Sequence, residues 1–337
     1  MKDKYVVVLG AGRGSRMESR DPNHSKVAYP ILGKPLINYV IDACKPLGLK
    51  DVFTVVGYGG ENTEKVVKND SKVVWQKEIL GTGHALMQVK ELAHKDGDVI
   101  VVGGELPLLT TQTLRKVYHK HEKGCNALTI CTSVLENPTG YGRVIRERGS
   151  YRLLRIVEDA DCDKDEKEII EVNAGVYILD NKLLQEYLPK LSNKNAKGEF
   201  YLSELVKLYE QDGHKVEAYV LEDAEDIYSV SDRNQLAYAA KVIKKRVNKK
   251  LMLSGVSIED PDTTYISPDV KIGKDTIILP NTTILGNCKI GEANWLGPNS
   301  TLIDVNMGND NKVHYSVLQN VTLKDGEEVG PFERIKK

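Results

Sequence analysis

Three glycines stand close together after a short aliphatic run near the N-terminus, in the stretch LGAGRGSRM, residues 9–17. Gly10, Gly12 and Gly14 carry no side chain, so their backbone amides can approach an anion closely. Arg16 adds a cation in the same stretch. These residue types at this spacing are suited to holding a phosphate group.

A single acidic residue, Glu105, follows another aliphatic run in the stretch VIVVGGELPLL, residues 99–109. The two glycines and the proline predict a buried strand that is stopped by a turn. A carboxylate beside a buried strand is costly unless something pairs with it. Glu105 is therefore a candidate for holding a cation. His119 and His121 are not, because residues two apart point in different directions on a helix, and we expect both at the surface.

Two common phosphate-binding patterns do not fit the glycine loop. The dinucleotide pattern GxGxxG continues to position 15, where Ser15 stands, and needs an acidic residue after the second strand, which DVFTVVGYGG lacks. The ATPase pattern GxxxxGK[ST] is not present. An oxidoreductase is therefore disfavoured, and a purely structural turn remains the alternative for the loop taken alone.

The elements that must position these residues alternate up to about residue 230. Aliphatic strands followed by helical patterns predict an α/β fold with a mostly parallel sheet and helices on both faces. Such sheets bind ligands at the carboxyl ends of their strands, where Glu105 lies. The predicted strands are Tyr5–Leu9, Val52–Val56, Val99–Val102, Ala127–Thr132 and Gly175–Leu179, and the predicted helices are Leu36–Leu47, Gly83–Ala93, Thr111–His121, Lys182–Leu188 and Leu202–Gln211.

The periodicity then changes twice. A long helix is predicted up to Gly255, with Ser231 as its N-cap and the Lys/Arg run of residues 241–250 as a solvated face. Six-residue spacing of aliphatic side chains follows, which predicts a parallel β-helix of hexapeptide repeats with corners at Gly273, Gly291 and Gly297. We therefore predict domains at 1–229 and 255–337, joined by a helix at 230–254. The hexad residues are Ile266, Ile272, Ile278, Ile284, Ile290, Leu296 and Leu302, with a slip before Met307 and Val313.

Composition excludes several classes of protein. The formal net charge is −1, which implies no general attraction to nucleic acid or to anionic membranes. No stretch approaches the roughly 18 apolar residues of a membrane span, and no signal peptide is recognisable. The five cysteines form no CxxC pair and are expected to be reduced thiols of a cytoplasmic protein.

Several motifs together resemble one enzyme family. LGAGRGSRM, then Lys26, then ILGKPLI resembles the nucleotide-binding signature of sugar-1-phosphate nucleotidyltransferases. QKEILGTGHAL, PTGYGRV, EVNAGVY and NAKGEFYLSEL narrow the likeness to the bacterial bifunctional N-acetylglucosamine-1-phosphate uridyltransferases and glucosamine-1-phosphate acetyltransferases. The likeness runs from residue 5 to about 334. It implies a uridyltransferase domain joined through a long helix to a left-handed β-helix that forms a homotrimer.

The resemblance implies a reaction between UTP and N-acetylglucosamine 1-phosphate. The products are UDP-N-acetylglucosamine, a cell wall precursor, and pyrophosphate, and catalysis consists of positioning and charge neutralisation. Arg16 and Lys26 would neutralise the triphosphate. Ser25 precedes Lys26 where the family usually has proline, which would loosen that loop. The implied nucleotide-binding residues are Leu9, Gly10, Ala11, Gly12, Gly14, Lys26, Gln76, Gly81 and Thr82.

The resemblance also implies a sugar site and a Mg²⁺ site. Gly140, Glu158 and Asn173 match the family's contacts to the sugar. The family holds Mg²⁺ with an aspartate and with the asparagine that begins the long helix, and the matching positions here are Glu105 and Ser231. Asp232 is a possible substitute for Ser231.

The resemblance leaves three questions open. The family's acetyltransferase site would only begin where this chain ends, at GPFERIKK, so we expect that site to be lacking. The altered metal pair makes a non-catalytic sugar-nucleotide-binding protein one alternative. A nucleotidyltransferase for another hexose 1-phosphate is the other.

Overall fold

The computed structural model describes residues 2–21 and 24–337. The chain divides into two compact units, one of Met1–Tyr29 with Pro35–Arg233 and one of Pro30–Lys34 with Asn234–Lys337. Within the described ranges, no helix is long and apolar enough to cross a membrane.

Eleven strands precede the long helix in the described chain. They are, as β1 to β11, Lys4–Gly10, Pro30–Ile31, Lys34–Pro35, Asp51–Val56, Lys72–Trp75, Asp98–Gly103, Leu128–Val134, Arg143–Arg146, Leu153–Val157, Glu171–Asp180 and Val216–Val220. The helices α1 to α8 are Leu36–Cys44, Gly60–Val67, Thr82–Met87, Thr111–Gly124, Lys164–Lys167, Asn181–Tyr187, Glu204–Gln211 and Arg233–Leu253. Short 3₁₀ turns lie at Ser15–Met17, Lys26–Ala28, Lys45–Leu47, Lys90–His94, Leu188–Lys190 and Ala224–Ile227.

The N-terminal unit is built on one mixed sheet with the strand order β11-β7-β10-β6-β1-β4-β5. Strand β1 pairs in parallel with β4 and β6, and β11 pairs in parallel with β7. Strand β10 runs antiparallel to β6 and β7, and the hairpin of β8 and β9 extends from it. The predicted mostly parallel α/β sheet is thus confirmed, with β10 as the strand whose direction the sequence pattern does not reveal.

Helices cover both faces of this sheet, as predicted. Side chains alternate along β1, so Val7 joins one hydrophobic core while Val6 and Val8 join the other. Leu86 of α3 and Leu205 of α7 belong to the first core. Residues of α1, α2 and α4 belong to the second core. Burial on both faces explains why these strands are continuous aliphatic runs.

The C-terminal unit is a parallel β-helix with three sheets. Its strands, β12 to β25, are Ser257–Ile258, Tyr265–Ile266, Lys271–Ile272, Ile277–Ile278, Thr283–Leu285, Lys289–Ile290, Trp295–Leu296, Thr301–Ile303, Asn306–Met307, Lys312–Val313, Val317–Gln319, Thr322–Leu323, Glu328–Val329 and Arg334–Lys336. The sheets are β12-β15-β18-β21-β24, β13-β16-β19-β22-β25 and β14-β17-β20-β23.

The slip in the hexads has a structural cause. Ile284 pairs with Leu302, eighteen residues later, whereas Leu302 pairs with Leu318, only sixteen residues later. The coil therefore loses two residues after Leu302. Met307 and Val313 nevertheless point into the core, as predicted.

The predicted corners were partly wrong. Gly297 has a φ of 99°, but Gly273 and Gly291 are not left-handed. A Cβ on Gly273 would lie 2.6 Å from the Gly291 carbonyl carbon, so these glycines allow close stacking of coils instead. Most of the non-glycine residues with positive φ in the β-helix are aspartate or asparagine, which tolerate that conformation, namely Asp275, Asn281, Asn299, Asp304, Asp310 and Asn320.

The long helix ends as predicted but begins later than expected. It starts at Arg233, so Asp232 rather than Ser231 directly precedes it. At its end, Val256 N bonds to Leu251 O and Gly255 N bonds to Met252 O, which is a Schellman motif with Gly255 in the left-handed position.

Two polar residues that were expected at the surface are buried. His121 is 2% exposed because it packs beside Asp98 and its Nδ1 lies 3.1 Å from Thr129 Oγ1, whereas His119 is exposed as predicted. Lys244 is 8% exposed, because its ammonium group hydrogen-bonds to the Asp262 carbonyl oxygen.

Candidate active site

A cleft of about 590 Å³ opens at the carboxyl ends of β1 and β6. It brings together most of the residues that the resemblance implied, although they are far apart in sequence. Those that line it are Leu9, Gly10, Ala11, Gly12, Gly14, Arg16, Lys26, Gln76, Gly81, Thr82, Glu105 and Glu158. Gly140, Asn173, Ser231 and Asp232 are not part of its lining.

Gly12 and Gly14, in the loop after β1, differ in whether the fold requires glycine at their positions. Gly14 is left-handed, with a φ of 62°, and a Cβ there would lie 2.6 Å from Lys26 Cβ. The fold therefore needs glycine at position 14. Gly12 is not left-handed, and a Cβ there would meet no protein atom within 4 Å. Its missing side chain leaves the backbone open to a ligand.

Lys26 lies opposite Glu105 across the cleft. Its Nζ is 3.8 Å from Glu105 Oε2, and the two side chains are 15% and 30% exposed. The stem of Lys26 packs against Gly14, as described above, which directs the ammonium group along the phosphate-binding loop. The lysine is therefore part of the loop's surroundings and already faces an anion.

Gln76 is buried rather than an ordinary surface residue. It is 2% exposed, and its Nε2 lies 3.1 Å from Gly81 O and 3.0 Å from His84 Nδ1. The amide nitrogen is thus held by the protein, which leaves the amide oxygen to accept a hydrogen bond from a ligand. Gly81 has a φ of 102°, and a Cβ there would lie 2.6 Å from Phe200 O, so glycine is required at that position.

Glu158 lies at another part of the cleft. Ser203 Oγ donates a hydrogen bond of 2.7 Å to Glu158 Oε1. Burial raises the pKa of the Glu158 carboxyl, and the Ser203 hydrogen bond and the nearby Lys197 charge oppose this only in part. Thr82 Oγ1 accepts a hydrogen bond from Leu202 N and thereby ties α3 to the segment that follows Lys197.

The other two predicted sugar residues, Gly140 and Asn173, do not line the cleft. Asn173 Nδ2 donates to Tyr177 Oη at 2.5 Å, and its Oδ1 accepts from Gly175 N. Tyr177 and Gly175 themselves line the cleft, at an irregularity in the pairing of β10 with β7. Gly140 has a φ of 84°, so its turn explains why it is glycine.

The predicted metal residues provide oxygen donors of the kind that Mg²⁺ accepts. Glu105 presents a carboxylate to the cleft, and its backbone oxygen accepts a 2.9 Å hydrogen bond from Val230 N. Ser231, which is 7% exposed, directly follows Val230, and Asp232 follows Ser231. No cluster of three metal-binding His, Cys, Asp or Glu side chains occurs in the described part of the chain. These residues fit an ion whose remaining ligands are phosphate oxygens and water.

Four further residues belong to this region without having been singled out from the sequence. Arg13, Lys197 and Glu199 line the cleft. Tyr141 lies close enough for the charges of Glu105 and Arg16 to act on its hydroxyl, whose pKa is raised mainly by burial. All four residues lie in motifs that carry the family resemblance, but the sequence does not indicate the direction in which a loop side chain points.

Comparison with known proteins identifies two domain families along the chain. The family model of the MobA-like NTP transferase domain matches residues 6–176, and the bacterial transferase hexapeptide (six repeats) matches residues 269–304. The chain is thus a sugar-1-phosphate nucleotidyltransferase whose C-terminal unit is a left-handed β-helix of hexapeptide repeats.

Individual relatives define the family within that class. The Bifunctional protein GlmU of Caldanaerobacter subterraneus subsp. tengcongensis is 41% identical over 336 residues, which cover 100% of this chain and 72% of the relative. That of Fervidobacterium nodosum is 44% identical over 332 residues, covering 98% and 71%. That of Thermoanaerobacter pseudethanolicus is 40% identical, covering 100% and 72%. The chain belongs to the family of the bifunctional GlmU proteins.

Proposed function

We propose that this chain converts UTP and N-acetylglucosamine 1-phosphate to UDP-N-acetylglucosamine and pyrophosphate. The observation that carries the proposal is the cleft itself. It joins an open, side-chain-free position at Gly12 and the cation of Lys26 with the buried amide of Gln76 and the half-buried acid of Glu158. A phosphate group, a base and a sugar are the three chemical parts that such a cleft can bind.

In this proposal, an oxygen of the sugar phosphate attacks the α-phosphorus of UTP. The bond between the α-phosphorus and its bridging oxygen breaks, and pyrophosphate leaves with that oxygen. Lys26 and Arg16 neutralise the charge on the phosphate oxygens, and the amides near Gly12 hold them in position. No side chain needs to form a covalent bond with the substrate.

The proposal assigns base recognition to Gln76 and sugar recognition to Glu158. The amide nitrogen of Gln76 bonds to the protein, and its amide oxygen is proposed to accept a hydrogen bond from the uracil N–H. Replacing Gln76 by alanine is expected to cost about 1–3 kcal/mol of UTP binding, since one base-edge hydrogen bond is lost. Glu158, whose carboxylate accepts a hydrogen bond from Ser203, is proposed to accept hydrogen bonds from sugar hydroxyls, and Gly140 and Asn173 are proposed to belong to the same subsite.

Glu105, with Ser231 or Asp232 beside it, is proposed to hold Mg²⁺ together with the triphosphate. When bound, the ion would supply further neutralisation of phosphate charge. Glu105 carries one more carbon–carbon bond, about 1.5 Å, than the aspartate that the family uses. Because Mg²⁺ prefers near-ideal octahedral geometry, we expect a raised Mg²⁺ requirement, which Mn²⁺ relieves.

The decisive experiment measures pyrophosphate release with UTP and a panel of sugar 1-phosphates, with and without Mg²⁺. Release with N-acetylglucosamine 1-phosphate, lost in Lys26→Ala and Glu105→Ala, supports the proposal. Release only with a different hexose 1-phosphate identifies that sugar as the substrate instead. Binding of UTP by calorimetry without any release identifies a non-catalytic binder, and restored release in Glu105→Asp with Ser231→Asn then shows that the metal pair is the cause.

Two further parts of the proposal concern the state of the protein. The β-helix is proposed to form a homotrimer, because short hexapeptide-repeat domains are small for independent stability. A trimer mass in light scattering at micromolar concentration supports this, and a monomer mass contradicts it. The five cysteines are all free, which agrees with a proposed cytoplasmic location.

A further inference from the structure

Tyr177 of β10 lines the cleft and has none of the roles proposed above. It is 5% exposed and packs in the same hydrophobic core as Val7. A tyrosine hydroxyl that is buried in this way usually has a hydrogen-bond partner. The identity of that partner decides whether the hydroxyl can donate to a ligand or only accept from one.

A break in the regular pairing of β10 brings Asn173 and Tyr177 together. The pairing of β10 with β7 shifts register between these two residues, and Gly175 between them is left-handed, with a φ of 71°. In a regular strand, residues four apart are separated by about 13 Å along the chain. Here Asn173 Nδ2 and Tyr177 Oη lie 2.5 Å apart. The irregularity therefore directs one side chain onto the other, as β-bulges commonly do.

A neighbouring backbone amide fixes the direction of this hydrogen bond. Gly175 N donates a 3.1 Å hydrogen bond to Asn173 Oδ1, so this end of the side-chain amide is the oxygen. The other end is the NH₂ group, which donates to Tyr177 Oη. The tyrosine oxygen is therefore the acceptor, and its own proton is left for another partner. Within the part of the chain that the structure describes, Tyr177 Oη has no second hydrogen-bond partner.

The Tyr177 hydroxyl keeps this proton. Burial and, to a smaller extent, the charge of Glu158 raise the pKa of the hydroxyl, and the hydrogen bond from Asn173 opposes this only in part. Glu158 is a carboxylate that already accepts a hydrogen bond from Ser203. The two cleft residues are thus chemically opposite, because Glu158 accepts hydrogen bonds and Tyr177 can donate one.

Sugar hydroxyls and an acetamido group make different demands on such a cleft. A hydroxyl can donate to the carboxylate of Glu158. An acetamido carbonyl oxygen can only accept, so it needs a donor. Lys197 also lines the cleft, but its side chain is exposed, so water competes for its hydrogen bonds. Tyr177 is a buried donor whose hydroxyl is already oriented, and a carbonyl left unpaired beside it would be costly.

We propose that Tyr177 donates a hydrogen bond to the carbonyl oxygen of the sugar's acetamido group, and that Asn173 positions its hydroxyl to do so. This inference rests on the proposed function, in which the sugar lies beside Glu158. It makes Tyr177 a specificity-determining residue, since glucose carries a hydroxyl where N-acetylglucosamine carries the acetamido group.

The test compares UDP-N-acetylglucosamine with UDP-glucose by calorimetry on the full chain in Mg²⁺. Tyr177→Phe keeps the buried ring and removes only the hydroxyl. We expect the Kd of UDP-N-acetylglucosamine to rise about fivefold, as the loss of one hydrogen bond implies, and the Kd of UDP-glucose to stay within about twofold. A merely structural effect of the substitution would weaken both sugar nucleotides alike and leave their ratio unchanged.

Asn173→Asp tests the positioning role separately. One oxygen of the aspartate can still accept from Gly175 N, but the other would accept the proton of Tyr177 and turn the donor away from the cleft. We therefore expect the same loss of preference for UDP-N-acetylglucosamine although the tyrosine is present. An unchanged preference in Asn173→Asp would overturn the role of Asn173.

Tyr209→Phe is the matched control. Tyr209 is fully buried in the same core and does not line the cleft, and its hydroxyl has no hydrogen-bond partner among the described residues. Both Kd values should therefore stay at those of the parent.

The inference is wrong if Tyr177→Phe weakens both sugar nucleotides equally or weakens neither, or if the parent does not prefer UDP-N-acetylglucosamine. A parent that shows this preference but releases no pyrophosphate refutes the proposed function instead. The ratio of the two Kd values then still decides the role of Tyr177, because it does not depend on turnover.

Discussion

Removing the charge of Glu105 should strengthen UTP binding when no metal is present. In the structure, Lys26 Nζ faces Glu105 Oε2 at 3.8 Å. An incoming triphosphate must compete with Glu105 for the same ammonium group, and it is also repelled by the carboxylate. Glu105→Gln keeps the shape of the side chain and removes both effects. In the presence of Mg²⁺ the sign should reverse, because the carboxylate is then proposed to bind the ion.

The magnitude follows from the distance and the exposure. Two unit charges 3.8 Å apart attract by about 1 kcal/mol at the dielectric constant of water and by about 4 kcal/mol at an effective value of 20. The side chains are 15% and 30% exposed, so solvent screens the pair and we take the lower value. About 1 kcal/mol corresponds to a roughly fivefold lower Kd for UTP.

The assay is calorimetric titration of UTP into the parent and into Glu105→Gln, first in EDTA and then in Mg²⁺. Glu199→Gln serves as the control, because it removes one negative charge from the same cleft and leaves the pair of Lys26 and Glu105 in place. A smaller gain is expected for this control. An unchanged or weaker metal-free affinity in Glu105→Gln would refute the competition between Glu105 and the triphosphate.

Three shorter predictions test other residues of the site. Ser25→Pro should raise the free energy of unfolding in urea by about 1–2 kcal/mol, since Ser25 has a φ of −65° and a buried hydroxyl without a partner; an unchanged or lower value contradicts this. Glu158→Gln should stabilise the protein at pH 8 while raising the KM for sugar phosphate. Burial raises the pKa of Glu158 above its ordinary 4.5, so its charge destabilises the fold at high pH, and the gain should vanish below pH 4.5; an equal gain at pH 4 would exclude this cause. Gly12→Ala should weaken UTP binding without loss of stability, and parental UTP affinity would show that no ligand approaches Gly12.

The sheet could be predicted because burial on both faces leaves a strong pattern. Strand β6 is buried along its whole length, and its sequence is an aliphatic run. Strand β5, by contrast, is four residues long and half-exposed, and it was not predicted. The direction of β10 could not be predicted either, since alternation of side chains is the same in parallel and antiparallel strands.

The candidate site was predicted through joint motif spacing, and its internal contacts were not. A sequence pattern can indicate that Lys26 and Glu105 belong to one site, but their separation depends on how β1 and β6 pair. The burial of Gln76 and His121 depends in the same way on neighbours that are distant in sequence. The prediction that His121 is exposed was wrong, because a histidine that lies beside a carboxylate and a hydroxyl can be buried at little cost.

The glycines of the cleft separate what the fold requires from what a ligand would require. At Gly14 and Gly81, positive φ and contacts below 3 Å to a Cβ explain the residue type completely. At Gly12 nothing in the protein does so, since the position is open and has no left-handed backbone. A side chain there would cost the fold nothing and would fill the space above the loop amides. No contact or backbone conformation of the protein accounts for glycine at position 12, so Gly12, more than Gly14 or Gly81, is the glycine that tests the proposed approach of an anion to the loop amides.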